Sequence, residues 1–250
     1  MQLFLSSMEK VKISSQPYFH SGDSILSWWK DLILAALPVV FYKIIRNSYV
    51  AIWFILSLFV IIIFKTIISM IMKKELNWKE DIIHGFVLSL FYILPVDNNI
   101  SWIMLALGIC TGVIVNELFF NSSGRSVFPA FLIGWLILGR EAILNQELIL
   151  SFAAILGGIY LLLKRRLSLN LLIGGTVFFG FWILFNNDFN LSIFNKLSII
   201  FFIVFGYPGL IPYGKIARVV FGVLSCFLII KFGVGGLGIA SLLTVLMTDL

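Results

Sequence analysis

Residues 48–72 read SYVAIWFILSLFVIIIFKTIISMIM, an apolar run interrupted by a single charge, Lys65. About 20 residues of α-helix cross a hydrocarbon core about 30 Å thick, so this stretch is long enough to span a bilayer. Similar runs cover most of the chain on either side. Of its 250 residues, 60% are hydrophobic, 16% aromatic and 12% charged. A soluble domain is about 45–50% apolar and about 25% charged. So few charges could not keep that much apolar surface in water. Soluble enzymes, nucleic-acid binders and disordered chains are thereby excluded, and the chain reads as an all-α polytopic membrane protein.

Hydropathy divides it into ten segments, near 24–45, 48–72, 81–95, 100–120, 126–139, 148–163, 169–185, 193–206, 215–232 and 236–250. Ten full spans would take about 200 residues, so loops are short and some helices are less than full length. The third, fifth, eighth and tenth segments are the short ones. Short, Gly- or Pro-interrupted segments at matching places in two halves point to a transporter-like binding site. The net charge of +6 reads as positive-inside bias rather than a nucleic-acid surface. Counting Lys and Arg with the N-terminus inside puts Lys164, Arg165 and Arg166 on the cytoplasmic side and Lys43, Arg46 and Lys196 outside. The majority falls inside, favouring cytoplasmic N- and C-termini in a bacterial-type inner membrane. The first residues carry no long apolar core or small-residue cleavage site and are not expected to form a signal peptide. Cys110 and Cys226 sit in apolar runs as small buried residues, and His20 and His84 are too few for a metal site.

The chain also carries a faint duplication. Phe120-Asn121-Ser122-Ser123-Gly124-Arg125-Ser126-Val127-Phe128-Pro129 overlays Phe232-Gly233-Val234-Gly235-Gly236-Leu237-Gly238-Ile239-Ala240-Ser241. Each has an apolar helix before a small-residue loop and a short apolar helix after it. Leu94-Pro95 and Tyr207-Pro208 likewise each close a short segment. Five segments per half, an odd number, make the second repeat enter the membrane from the opposite side. The expected organisation is a cytoplasmic segment 1–23, a five-helix repeat 24–139 and an inverted five-helix repeat 140–250.

Several stretches, in order along the chain, resemble the RnfD/NqrB family. Ser15-Gln16-Pro17-Tyr18-Phe19-His20-Ser21-Gly22-Asp23-Ser24 resembles the family's opening motif, and Leu34-Ala35-Ala36-Leu37-Pro38 its first helix, which ends in a Leu-Pro pair. Asn116 to Ala130, Leu156-Gly157-Gly158-Ile159-Tyr160-Leu161-Leu162, and Tyr207-Pro208 through Arg218 are similar to later family motifs. The resemblance implies a fold similar to urea transporters and a role as a membrane subunit of ion-translocating, flavin-containing electron-transport complexes. Other membrane subunits and the lipid bilayer are then its partners. Family members usually attach FMN to a Thr between the fifth and sixth segments. Here Gly139-Arg140-Glu141-Ala142-Ile143-Leu144-Asn145-Gln146-Glu147 holds no Ser or Thr. Without a hydroxyl no phosphoester forms, so the expected cofactor is a non-covalent flavin, riboflavin or FMN.

The candidate cofactor residues come from three irregular stretches. Ser122, Ser123, Gly124, Arg125, Ser126 and Phe128 form a loop leading into a short helix, whose free N–H groups would suit a phosphate, carboxylate or flavin dione. The same residues also read as an ordinary cytoplasmic cap. Gly233, Gly235 and Gly236 would let backbone approach a ligand, or would serve helix packing. Tyr207 and Tyr213 would stack on an isoalloxazine ring, or sit in an interfacial aromatic belt. Arg218, Glu117 and Lys65 are ionisable groups in or near apolar segments, with Glu117–Arg125 or Glu117–Arg218 as a compensating pair. No catalytic motif is present. The two functional readings are an electron-transport subunit and, alternatively, a transporter of riboflavin or another small polar solute.

Overall fold

A computed structural model describes residues 25–71, 78–94, 101–115, 148–186, 190–206 and 214–233, together with 236 and 239. Among the described residues the chain is helical. In chain order the helices are α1 (Ile25–Arg46), α2 (Tyr49–Ile71), α3 (Trp78–Ile93), α4 (Trp102–Val115), α5 (Leu148–Leu163), α6 (Leu169–Asn186), α7 (Leu191–Phe202) and α8 (Lys215–Phe232). A 3₁₀ turn, Val204–Gly206, continues α7. These correspond to eight of the ten apolar segments. The fifth segment, 126–139, lies outside the described residues, as does nearly all of the tenth. One boundary differs from the family-based expectation: α1 does not end at Leu37-Pro38 but carries Pro38 in its interior. Proline has no N–H to give the Leu34 carbonyl, yet apolar packing on both sides keeps the helix going.

Two helices, α2 and α6, are long and apolar enough to cross a membrane. Their surfaces show why lipid is the solvent. On α2 only Val50, Ser57, Ile61, Ile68 and Ser69 are buried, a single stripe, while Ile52, Ile55, Phe59, Ile63 and Ile67 face outward. On α6, Ile173, Val177, Phe181 and Phe185 do the same. Leaving each such side chain in water forgoes about 1.5–3 kcal/mol of burial. A bilayer removes that cost, and the fold is that of a helical membrane protein.

Two of the shorter helices, α3 and α7, behave in the opposite way. In α3 every residue from Val87 to Leu94 is buried. In α7, Ser192 and the run Asn195–Phe201 are buried, as is the 3₁₀ turn. α3 and α7 are thus the inner helices, and the longer ones shelter them. Asn190 starts α7 by accepting from the Ser192 and Ile193 amides at 2.9 and 3.3 Å, the usual work of an N-cap.

Among the described helices α1 packs on α3, α2 on α3 and α4, α5 on α7, and α6 on α8. The halves meet mainly where α1 crosses α5. Asp31 meets Tyr160 and Ala35 meets Gly157, so these two helices run antiparallel. A Cβ on Gly157 would overlap the Ala35 carbonyl, and one on Gly222 would overlap the Leu171 carbonyl between α6 and α8. Without a strong solvophobic force between helices in lipid, such close backbone approach supplies the van der Waals contact that holds them.

Candidate functional site

Of the sequence-derived candidates, Ser122, Ser123, Gly124, Arg125, Ser126, Phe128, Tyr207, Tyr213 and Gly235 lie outside the described residues, as does Glu117. Arg218, Gly233 and Gly236 lie within them. Arg218, on the first turn of α8, is partly buried and donates from a terminal guanidinium nitrogen to the Ser168 hydroxyl at 3.4 Å. Gly233 closes the other end of α8 with φ 64°, a backbone region costly for any residue with a Cβ. Fifteen residues of helix separate them, about 22 Å, so one flavin ring cannot touch both. Gly236 turns back on α8, its amide bonding the Gly233 carbonyl at 3.1 Å. A Cβ there would overlap the Leu228 carbonyl. The space beside Gly236 is therefore filled by the chain's own helix. Lys65 is partly buried on α2.

The structure gathers a different polar cluster at the end of the bundle where α1 begins. Asp31, 8% exposed, accepts from the Tyr160 hydroxyl at 2.8 Å and from Arg166 Nε at 3.0 Å. Arg166, 7% exposed, also reaches the Ser27 hydroxyl at 3.5 Å, and its guanidinium lies 4.5 Å from the centre of the Trp28 ring. The Trp28 indole N–H donates to the Gly206 carbonyl at 2.6 Å. Residues from α1, α5, the α5–α6 turn and the 3₁₀ turn thus share one network. A buried carboxylate and guanidinium are tolerable here because each meets the other and further polar or aromatic groups.

Local backbone geometry delivers Arg166 to that place. The Arg165 amide bonds the Leu162 carbonyl at 3.0 Å and the Arg166 amide the Leu161 carbonyl at 2.8 Å. This is a Schellman ending, with Arg165 in the left-handed position at φ 57° where glycine is usual. The turn sends exposed Lys164 and Arg165 outward and folds Arg166 inward.

At the opposite end of α1, buried Lys43 donates from Nζ to the Ile93 carbonyl at 2.9 Å, a cation set at the negative end of α3. Between α5 and α7, the Ser151 hydroxyl donates to the Asn195 side-chain oxygen. Neighbouring Lys196, counted on the outer side by charge, is buried on α7. Cys226 is buried on α8 and Cys110 half-buried on α4.

The apolar outer faces, the sheltered short helices and the buried polar contacts define a polytopic helical membrane protein. Residues 12–141, just over half of the chain, match the model of the NQR2, RnfD, RnfE family. The chain belongs to that family, and it is a membrane subunit of the Rnf/Nqr type. No curated protein matches it. The matched range takes in residues 121–128 but stops short of Arg218 and the glycines after α8.

Proposed function

We propose that this chain is a subunit of a flavin-dependent electron-transport complex that holds riboflavin or FMN without a covalent bond. The observation that carries this reading is family membership over a range that includes Ser122, Ser123, Arg125, Ser126 and Phe128. When bound, a flavin would supply electron transfer between redox partners, a flow that ion movement can be coupled to. The chain's own residues would bind and orient it. Backbone N–H groups, the three hydroxyls and the Arg125 guanidinium offer donors to a dione or phosphate, and Phe128 offers an aromatic face. Absence of any hydroxyl from 139 to 147 removes the covalent alternative there.

Two inverted five-helix repeats, 24–139 and 140–250, make the scaffold in this reading. Its support is the packing scheme, first helix on third and second on fourth in both halves, and the antiparallel α1–α5 crossing. The likeness is incomplete, since α2 leans on α3 more closely than α6 does on α7. Both termini are proposed to face the cytoplasm.

The test is the absorbance spectrum of the detergent-purified chain before and after acid precipitation. Flavin bands that move wholly to the supernatant are expected, and Arg125→Ala and Gly235→Val should each lower the flavin occupancy. A colourless protein, or equal occupancy in both variants, overturns the assignment. A second reading, transport of riboflavin or another small polar solute, draws on the buried, less-than-spanning α3 and α7. Uptake of labelled riboflavin by proteoliposomes holding this chain alone would favour it.

A further inference from the structure

The network around Asp31 belongs to neither reading of the flavin site. It joins the start of α1, in the N-terminal half, to three separate places in the other half: Tyr160 on α5, Arg166 in the α5–α6 turn, and Gly206 in the 3₁₀ turn. Two observations set it apart from ordinary packing. The Asp31–Arg166 pair is buried on both sides, and such a pair is commonly no more stabilising than apolar side chains of the same volume, so cohesion alone does not account for it. The turn that presents Arg166 holds a non-glycine residue, Arg165, in a left-handed conformation, and such strain concentrates at switching and binding elements. Deeper along the same interface α1 and α5 touch through small residues, Gly157 against Ala35. That contact is backbone against backbone, with the larger Leu32 and Leu161 side chains buried nearer the polar network.

We propose that Asp31, Arg166, Tyr160 and Trp28 form a releasable latch between the two halves of the protein, closed in this structure. Its opening separates the start of α1 from the α5–α6 turn and the 3₁₀ turn while the small-residue crossing acts as the pivot. A charged, geometrically specific pair is either made or broken, which gives the interface two discrete arrangements.

The experiment uses the full chain in nanodiscs, with Cys110 and Cys226 replaced by Ala and spin labels on cysteines at the exposed positions Phe59 of α2 and Val177 of α6. The otherwise unaltered chain should give one inter-half distance. Asp31→Asn and Arg166→Gln should each add a second population, with Arg166→Lys intermediate. The paired change Asp31→Leu with Arg166→Met keeps volume and leaves no lone charge, so it should fold and still show the second population. A single unchanged distance in all of these overturns the latch. Hydrogen exchange on the unaltered chain needs no variant: amides at 27–32, 164–168 and 203–206 should open together at one rate, and unrelated rates overturn the proposal. Neither readout depends on flavin, so the latch and the cofactor assignment stand or fall separately.

Discussion

The two ends of α1 do similar work by different means. At one end Lys43 donates to the Ile93 carbonyl; at the other Trp28 donates to the Gly206 carbonyl. Each carbonyl belongs to the last residue of a short buried helical element, just ahead of Leu94-Pro95 or Tyr207-Pro208. A helix ending inside a membrane protein leaves carbonyls with no helical donor, and in both cases α1 supplies one. The difference lies in where the partner comes from. Lys43 and Ile93 are both in the first half of the chain, so their bond stiffens that half. Trp28 and Gly206 are in different halves, and the bond comes with the Asp31–Arg166 pair stacked on the same indole. The first end consolidates one half; the second joins two.

Substitutions at the two ends should separate these roles. Asp31→Ala leaves Arg166 buried without its carboxylate and is expected to cost about 3–5 kcal/mol, seen as a large fall in Tm in detergent. Lys43→Met removes a charged donor from a buried carbonyl and should cost about 1.5–3 kcal/mol, without changing the distance between halves. Trp28→Phe keeps the ring under Arg166 but loses the N–H, for a loss of about 1 kcal/mol. If Lys43→Met loosens the inter-half distance as much as Asp31→Ala does, the two ends are not different in kind. The smallest effect should be a gain: Arg165→Gly relieves the left-handed strain, and Tm should rise by the equivalent of about 1 kcal/mol or less.

Much of the fold was legible because apolar runs bounded by Lys, Arg, Gly and Pro mark helix limits directly. The eight described helices lie where those runs lie, and the segments read as short, 81–95 and 193–206, are the sheltered ones. The cluster around Asp31 was not legible, for two physical reasons. Lys30-Asp31 looks like a boundary pair in sequence, but adjacent helix residues do not face each other: Lys30 is exposed and Asp31 buried. Arg166 looked like one of three cytoplasmic charges in Lys164-Arg165-Arg166, and a count of charges carries no information about the left-handed turn that folds the third one inward. The burial of Lys196 was illegible for the same reason, since a count of charges assigns a side and says nothing of burial. The one sequence signal for the cluster was an Asp within an apolar segment. Of the candidate cofactor residues, only the three on α8 and its C-terminal turn fall among the described residues, and these lie at its two ends.

The burial of α7 on nearly every side has a consequence for biogenesis. From Leu191 to Gly206 it is about 24 Å long or less, under the hydrocarbon thickness, and it carries Asn195 and Lys196. A lysine at the centre of an inserting helix opposes partition by about 2.5–3.5 kcal/mol, and Lys196, nearer the start of α7, carries part of that cost. Such a helix partitions into lipid less readily than a fully apolar one of the same length. Docking on α5, where the Ser151 hydroxyl donates to the Asn195 side-chain oxygen, gives that amide a partner that lipid does not.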